Sequence, residues 1–299
     1  MKRYAALLLL LLLLPVLALA DLEVHFLDVG QGDCAIVLCD GQSMVIDGGP
    51  GGSNAKLYSY IRKTLKLRHF DYVISTHPHV DHVHGLATVL NAAQVEVVYT
   101  PVLKWDSRAF NNMLKYAAKQ NTPVVVPNEG DTWKLGGADV TILHCWPEAI
   151  DAGRTNDSSI VLRVDYGQTS FLFTGDAEDW SEYMMIDAGV NLKSDVLKVA
   201  HHGSRFSSTM EFLNAVQPEY AVISVGKDNS YGHPHPEVLE RLEKIGAKVL
   251  RTDELGTIVI RSDGKRLHWR SDCYLKHNSS ARFLQAQFGQ YGIHVVSFL

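Results

Sequence analysis

The run His77-Pro78-His79-Val80-Asp81-His82 decides how this chain is read. Three imidazoles and one carboxylate stand within six residues, directly after the stretch 71–76 (Asp-Tyr-Val-Ile-Ser-Thr), which has the look of a buried strand. Imidazole nitrogen and carboxylate oxygen are the donors that borderline divalent cations prefer. Where a strand leaves a sheet, the backbone can fan several such donors around one point. The competing reading is a polar loop that happens to be rich in histidine.

A metal centre needs donors from several elements, so the other strand ends carry the test. Residues 170–176 (Ser-Phe-Leu-Phe-Thr-Gly-Asp) form an apolar run that stops at Gly175-Asp176. Residues 195–204 (Asp-Val-Leu-Lys-Val-Ala-His-His-Gly-Ser) do the same at His201-His202. Taken singly, Asp176 is a turn residue and the histidine pair is unremarkable. Taken with 77–82, they predict three strand ends converging on one edge of a sheet.

Working outward, strands are expected at 22–29, 34–38, 44–46, 71–76, 95–99 and 124–126. A helix is expected over 54–67, another over 83–92, and a third reaching Gln120 with Asp106 or Ser107 as its cap. The second half repeats this character. Strands at 140–143, 160–164 and 169–173 precede alternating strands (196–200, 220–225, 248–250, 257–260) and helices (177–188, 210–216, 236–245). Hairpins open each half and strand–helix alternation closes it. Two mixed sheets with helices outside bury such a pattern, which predicts a four-layer α/β/β/α sandwich over residues 21–270. Residues 271–299 read as a C-terminal extension of different character.

The chain has 299 residues, 46% of them hydrophobic and 20% charged, which supports a sizeable core. A formal charge of −5 excludes a protein that coats nucleic acid through overall basicity. Lys2-Arg3, the apolar run Leu7–Leu14 and Ala18-Leu19-Ala20 predict a signal peptide over 1–20 and hence export. The alternative is an N-terminal membrane anchor. Cleavage would remove Lys2 and Arg3 and move the formal charge from −5 to −7. The four cysteines (34, 39, 145, 273) contain no Cys-x-x-Cys pair, so a cysteine zinc site is not expected. Cys34 and Cys39 read as small core residues.

His-x-His-x-Asp-His, Thr174-Gly-Asp176 and His201-His-Gly-Ser204, in this order, resemble the metallo-β-lactamase superfamily. The likeness is greatest to the metallohydrolase domain of ComEC-type DNA-uptake proteins and its stand-alone relatives. It extends through Phe26-Leu-Asp-Val-Gly-Gln-Gly-Asp33, Ile46-Asp-Gly-Gly49, Asn156-Asp-Ser-Ser-Ile-Val-Leu162, Ser224-Val-Gly226 and Tyr231-Gly-His-Pro234. No multi-span hydrophobic region accompanies these motifs, so a translocation channel is not expected.

The resemblance implies a hydrolase holding two divalent cations, zinc or manganese, that share and activate a water. His77 and His79 would hold the first ion, Asp81 and His82 the second, and Asp176 would bridge them. His201, the first residue off its strand, is expected to complete the second ion in preference to His202. A third histidine usual for the first ion is absent here or replaced by Asn156 or Asp157. Asp47 is expected to orient a ligand histidine or simply to turn the chain. Asp81 and His233 are the expected catalytic groups, His233 binding the phosphate or protonating the leaving group. The implied substrate is a phosphoester, with DNA foremost. The alternatives are a phosphorylcholine ester, another ester or lactone, or a metal-stabilised module without turnover.

Overall fold

The computed structural model describes residues 21–272. The expected signal peptide, Cys273 and nearly all of the C-terminal extension lie outside those residues.

Fifteen strands among the described residues form two sheets. The first half supplies β1 (Leu22–Phe26), β2 (Ala35–Cys39), β3 (Gln42–Ile46), β4 (His69–Ile74), β5 (Gln94–Tyr99) and β6 (Val124–Val125). The second supplies β7 (Thr132–Leu135), β8 (Ala138–His144), β9 (Val161–Tyr166), β10 (Thr169–Phe173), β11 (Val196–Lys198), β12 (Tyr220–Ile223) and β13 (Lys248–Arg251). The chain then returns to the first sheet with β14 (Ile258–Ser262) and β15 (Leu267–Ser271). The sheet orders are β15-β14-β1-β2-β3-β4-β5-β6 and β13-β12-β11-β10-β9-β8-β7. Each sheet starts antiparallel and becomes parallel, at β3–β4 in one and β10–β11 in the other. That change is the structural form of hairpins giving way to strand–helix alternation.

Three apolar layers separate four layers of secondary structure. Phe26, Val37, Met44, Leu162, Phe171 and Phe173 are among the residues filling the space between the sheets. Phe26 and Phe173 stack across it with ring centroids 5.9 Å apart. Leu57, Leu86, Phe110 and Met113 pack helices on the outer face of the first sheet. Phe212, Leu213, Val238 and Leu242 do so on the second. The α/β/β/α sandwich follows directly.

Local sequence explains the element ends. Ser107 accepts from the Phe110 backbone N–H at 3.1 Å and starts the helix Arg108–Gln120. Strands β7 and β15 escape the sequence reading because their residues, Thr-Trp-Lys-Leu and Leu-His-Trp-Arg-Ser, lack an apolar run. Cys34, Cys39 and Cys145 are free thiols, the first two buried as expected. No helix among the described residues is long and apolar enough to cross a membrane.

The carboxyl ends of β3, β4, β10, β11 and β12 meet at one edge of the sandwich. Open α/β sheets place ligands at such ends.

Candidate metal centre

Three glycines and a carboxylate hold the histidine-rich run in place. The Gly48 N–H donates to the His82 carbonyl at 2.7 Å, and the Gly85 N–H to that of Gly49 at 3.0 Å. A β-carbon on Gly85 would lie 1.9 Å from the Gly48 carbonyl oxygen, so the two backbones touch. From the other side, the Asp33 N–H donates to the Asp81 carbonyl at 3.2 Å. Asp47, left-handed at φ 58, closes β3 and accepts from the Thr76 N–H (2.8 Å), the Thr76 hydroxyl (2.7 Å) and His82 Nδ1 (2.8 Å). Asp47 therefore both turns the chain and orients a histidine.

The second sheet delivers the remaining donors. After β10 the Asp176 N–H donates to Ser159 Oγ at 3.0 Å, which fixes its carboxylate at the edge. After β11, His201 and His202 are both left-handed, with φ 48 and 52. Two consecutive left-handed residues turn the chain sharply, and their side chains part. His202 is buried beside His82, ring centroids 5.3 Å apart, while His201 stays partly open beside Glu178.

The donors form two trios, each with its atoms within 4.8 Å of one another: His77, His79 and Asp176, and Asp81, His82 and His202. His77 Nε2 lies 3.0 Å from His79 Nδ1 and 3.7 Å from Asp176 Oδ2. His202 Nε2 lies 3.3 Å from Asp81 Oδ2. Asp176 reaches the second trio as well, its Oδ1 being 3.2 Å from His82 Nε2.

Within the two trios, three buried atoms have no hydrogen-bond partner: His82 Nε2, His202 Nε2 and Asp176 Oδ1. Leaving one such group unmade costs roughly 1–3 kcal/mol. Their far sides are satisfied. His82 Nδ1 faces Asp47, and His202 Nδ1 faces the Ser224 carbonyl at 2.9 Å and Asp33 Oδ1 at 3.2 Å. Thr76 spends its hydroxyl proton on Asp47, so at 3.1 Å its oxygen accepts from His77 Nδ1. With Nδ1 protonated, each Nε2 lone pair points inward, the arrangement that prepares imidazoles for a cation. The donor set suits divalent metal ions.

The profile of the metallo-β-lactamase superfamily matches residues 27–227. The chain belongs to that superfamily. ComE operon protein 3 of Bacillus subtilis is 32% identical over 256 residues, covering 80% of this chain and 33% of that protein. Competence protein ComA of Neisseria gonorrhoeae is 32% identical over 242 residues, covering 77% of this chain and 31% of its own length. This chain thus spans about a third of those relatives. Among solved structures, the metallo-β-lactamase fold protein YhfI from Bacillus subtilis superposes with a TM-score of 0.55 at 13% identity. The superposition covers 81% of this chain and all of YhfI.

In this metallo-β-lactamase superfamily chain, the structure brings His77, His79, Asp81, His82 and Asp176 together at one edge. Beside Asp81 and His82 it places His202 rather than the expected His201. The position next to the strand is not decisive, because the paired left-handed residues swing His201 outward. There its Nδ1 meets Glu178 at 3.1 Å, and its Nε2 stays 3.9 Å from Asp176. Asp157 also departs from expectation. It is buried away from the trios, accepting from the N–H groups of Glu178 (3.1 Å) and Ser181 (3.2 Å) and pairing with Arg154 at 2.9 Å. Asn156 borders the cleft but gives its amide to Glu178 at 2.9 Å and joins neither trio. His233 lines the cleft, its ring 5.5 Å from that of His201.

Three residues escape the sequence reading. Glu178 steers His201, Asp33 steers His202, and Lys198 pairs with Asp33 at 2.6 Å. Asp33 is visible only as part of a glycine-rich turn. Lys198 carries a signal in hindsight, since a charge inside the apolar run 195–200 must be paired.

Before cations bind, the trio of Asp81, His82 and His202 holds protons on its two imidazoles. Burial works against charge on His82 and His202. The carboxylates outweigh it: Asp176 and Asp47 raise His82 well above its usual range, and Asp176 and Asp33 push His202 up to about 10. These pKa values lie above the unfolded one, so the protonated pairs stabilise the fold fully below pH 6.5 and lose that effect as pH climbs towards 10 for His202. Cations must displace those protons. Affinity should therefore rise with pH, with about two protons released per loaded molecule near pH 7.5. Calorimetry in two buffers of different ionisation enthalpy measures this, and equal heats in both would contradict it. Replacing Asp47 by Ala should lower cation affinity by about 10–100-fold, measured by the same titration, because His82 loses its tether.

Proposed function

We propose that this chain is an exported phosphodiesterase that uses two divalent cations, zinc or manganese, and acts on nucleic acid. The observation that carries the reading is the meeting of three unpartnered buried donors, one carboxylate facing both trios, at the floor of an open cleft of about 370 Å³. The relatives favour nucleic acid, since one is named a competence protein and shares 32% identity. Export rests on the composition of residues 1–20.

His77 and His79 would hold one ion, Asp81, His82 and His202 the other, with Asp176 between them. Bound there, a pair of ions lowers the pKa of a water and neutralises charge developing on phosphate oxygens. The chain's own groups do the rest. Asp47 and Asp33 hold His82 and His202 in the tautomer that leaves Nε2 bare. Asp81, about a third exposed at the cleft, can accept a hydrogen bond from the attacking water. His233 is pushed down to about 4 by burial and by the charges of His201 and His202, so it enters the cleft neutral at pH 7. It can donate one hydrogen bond to a phosphate oxygen. His201, steered by Glu178, can donate a second.

The test is turnover of bis-p-nitrophenyl phosphate and of oligonucleotides with added Mn²⁺ or Zn²⁺. Turnover that a chelator removes is expected. Bound ions with no turnover of these, of phosphocholine esters or of nitrocefin would leave a binding module instead.

A further inference from the structure

The cleft above the trios has an unusual lining for something that grips a polyanion. Among the described residues that line it, none is lysine or arginine. Its non-ligand walls are instead uncharged amides, imidazoles, and apolar and aromatic side chains. Val80, 55% exposed, and Trp105 come from the first half of the chain, and Tyr231, 66% exposed, from the second. Trp105 is anchored, since it also packs against the helical layer on the first sheet. Tyr231 lies nearly parallel to His233, with centroids 5.7 Å apart and an interplanar angle of 23°. The backbone beneath is pinned. Asn229 Oδ1 accepts from the N–H groups of Tyr231 (3.2 Å) and His233 (3.1 Å), and its Nδ2 donates to the His233 carbonyl at 2.7 Å. A large ring is thus held open to solvent, one face backed by an imidazole, at the rim of the cleft.

A duplex is gripped mainly through its phosphates by lysine and arginine. A single strand offers its bases as flat faces, and aromatic side chains bind these without reading sequence. Resting on the phosphodiesterase reading above, we propose that Tyr231 and Trp105 are a stacking platform for the bases flanking the scissile phosphate. The cleft then selects single-stranded polynucleotide over both duplex and base-free esters. The phosphate is left to the metal centre, which explains why a chain with a formal charge of −5 needs no basic track there.

The experiment compares kcat/KM for oligothymidylate, an abasic oligomer of equal length and a duplex, with Mn²⁺ present. The intact protein should prefer oligothymidylate to the abasic oligomer by about tenfold or more. In the Tyr231→Ala, Trp105→Ala double variant that ratio should fall to about 1, the loss lying in KM. Tyr231→Phe should keep the preference, because the ring and not the hydroxyl carries it. Tyr58→Ala, which removes an exposed tyrosine from the helix Asn54–Ser59, should keep it too. A ratio near 1 in the intact protein, or an unaltered ratio in the double variant, overturns the platform while leaving the phosphodiesterase standing. The reverse failure looks different. Quenching of tryptophan fluorescence by oligothymidylate, lost in the double variant but accompanied by no turnover, would keep the platform and sink the phosphodiesterase.

Discussion

Asp176→Ala should reduce phosphodiester turnover by about a thousandfold or more and remove at least one equivalent of bound cation. Asp176 faces both trios, with Oδ2 3.7 Å from His77 Nε2 and Oδ1 3.2 Å from His82 Nε2. Its loss leaves the first trio with two imidazoles and the second without its shared oxygen. Losing one preorganised electrostatic partner at a reacting centre commonly costs about 10²–10³ in kcat, and on the proposed reading two ions would depend on this one group. The fold should survive, because the carboxylate sits at the sheet edge and its N–H keeps the Ser159 hydroxyl. Metal analysis alongside kinetics separates the outcomes. A variant that retains two ions and near-normal turnover would refute the bridging role.

The adjacent histidines should behave very differently from each other. His202→Ala removes a donor buried beside Asp81 and His82, so it should lose about one equivalent of cation and turnover should fall by about 10²-fold or more. It also strips Asp33 of one partner, leaving that carboxylate to Lys198 alone. His201→Ala should keep both ions, since its ring is turned to Glu178 and belongs to neither trio. Its effect should fall on substrate affinity and amount to about 10–100-fold, the size of one lost hydrogen bond to a charged group. Ion counts on the two purified variants decide the matter, and a reversed pattern would restore His201 as the ligand.

The contrast marks where the sequence stops being legible. Apolar runs that end in ligand residues reveal the strand ends at 77–82, 176 and 201–202, and alternating elements reveal the four layers. Those signals are local and periodic. Which of two adjacent histidines turns inward depends on two backbone φ angles that no hydrophobic period encodes. Asp157 misleads for a related reason. A carboxylate beside Asn156 in a matching motif looks like a donor, but its actual partners, Arg154 and the N–H groups of 178 and 181, lie on a turn and a helix that only the fold brings together. Asp33 and Lys198 are 165 residues apart in the chain and meet only because β11 runs beside the opening turn of the first sheet. Strands β7 and β15 escape for want of an apolar run, their faces being partly exposed.

The donors come from both sheets, four from the run after β4 and two from beyond β10 and β11, so cations bound there would also cross-link the halves of the molecule. Each ion at a hundredfold excess over its dissociation constant would add about 2.7 kcal/mol to the folded state. For a domain of this size that shifts melting by roughly 5–10 °C per ion. Chelation should accordingly lower the melting temperature and expose the interface between the sheets to proteases. Resistance to digestion then becomes a gauge of metal supply.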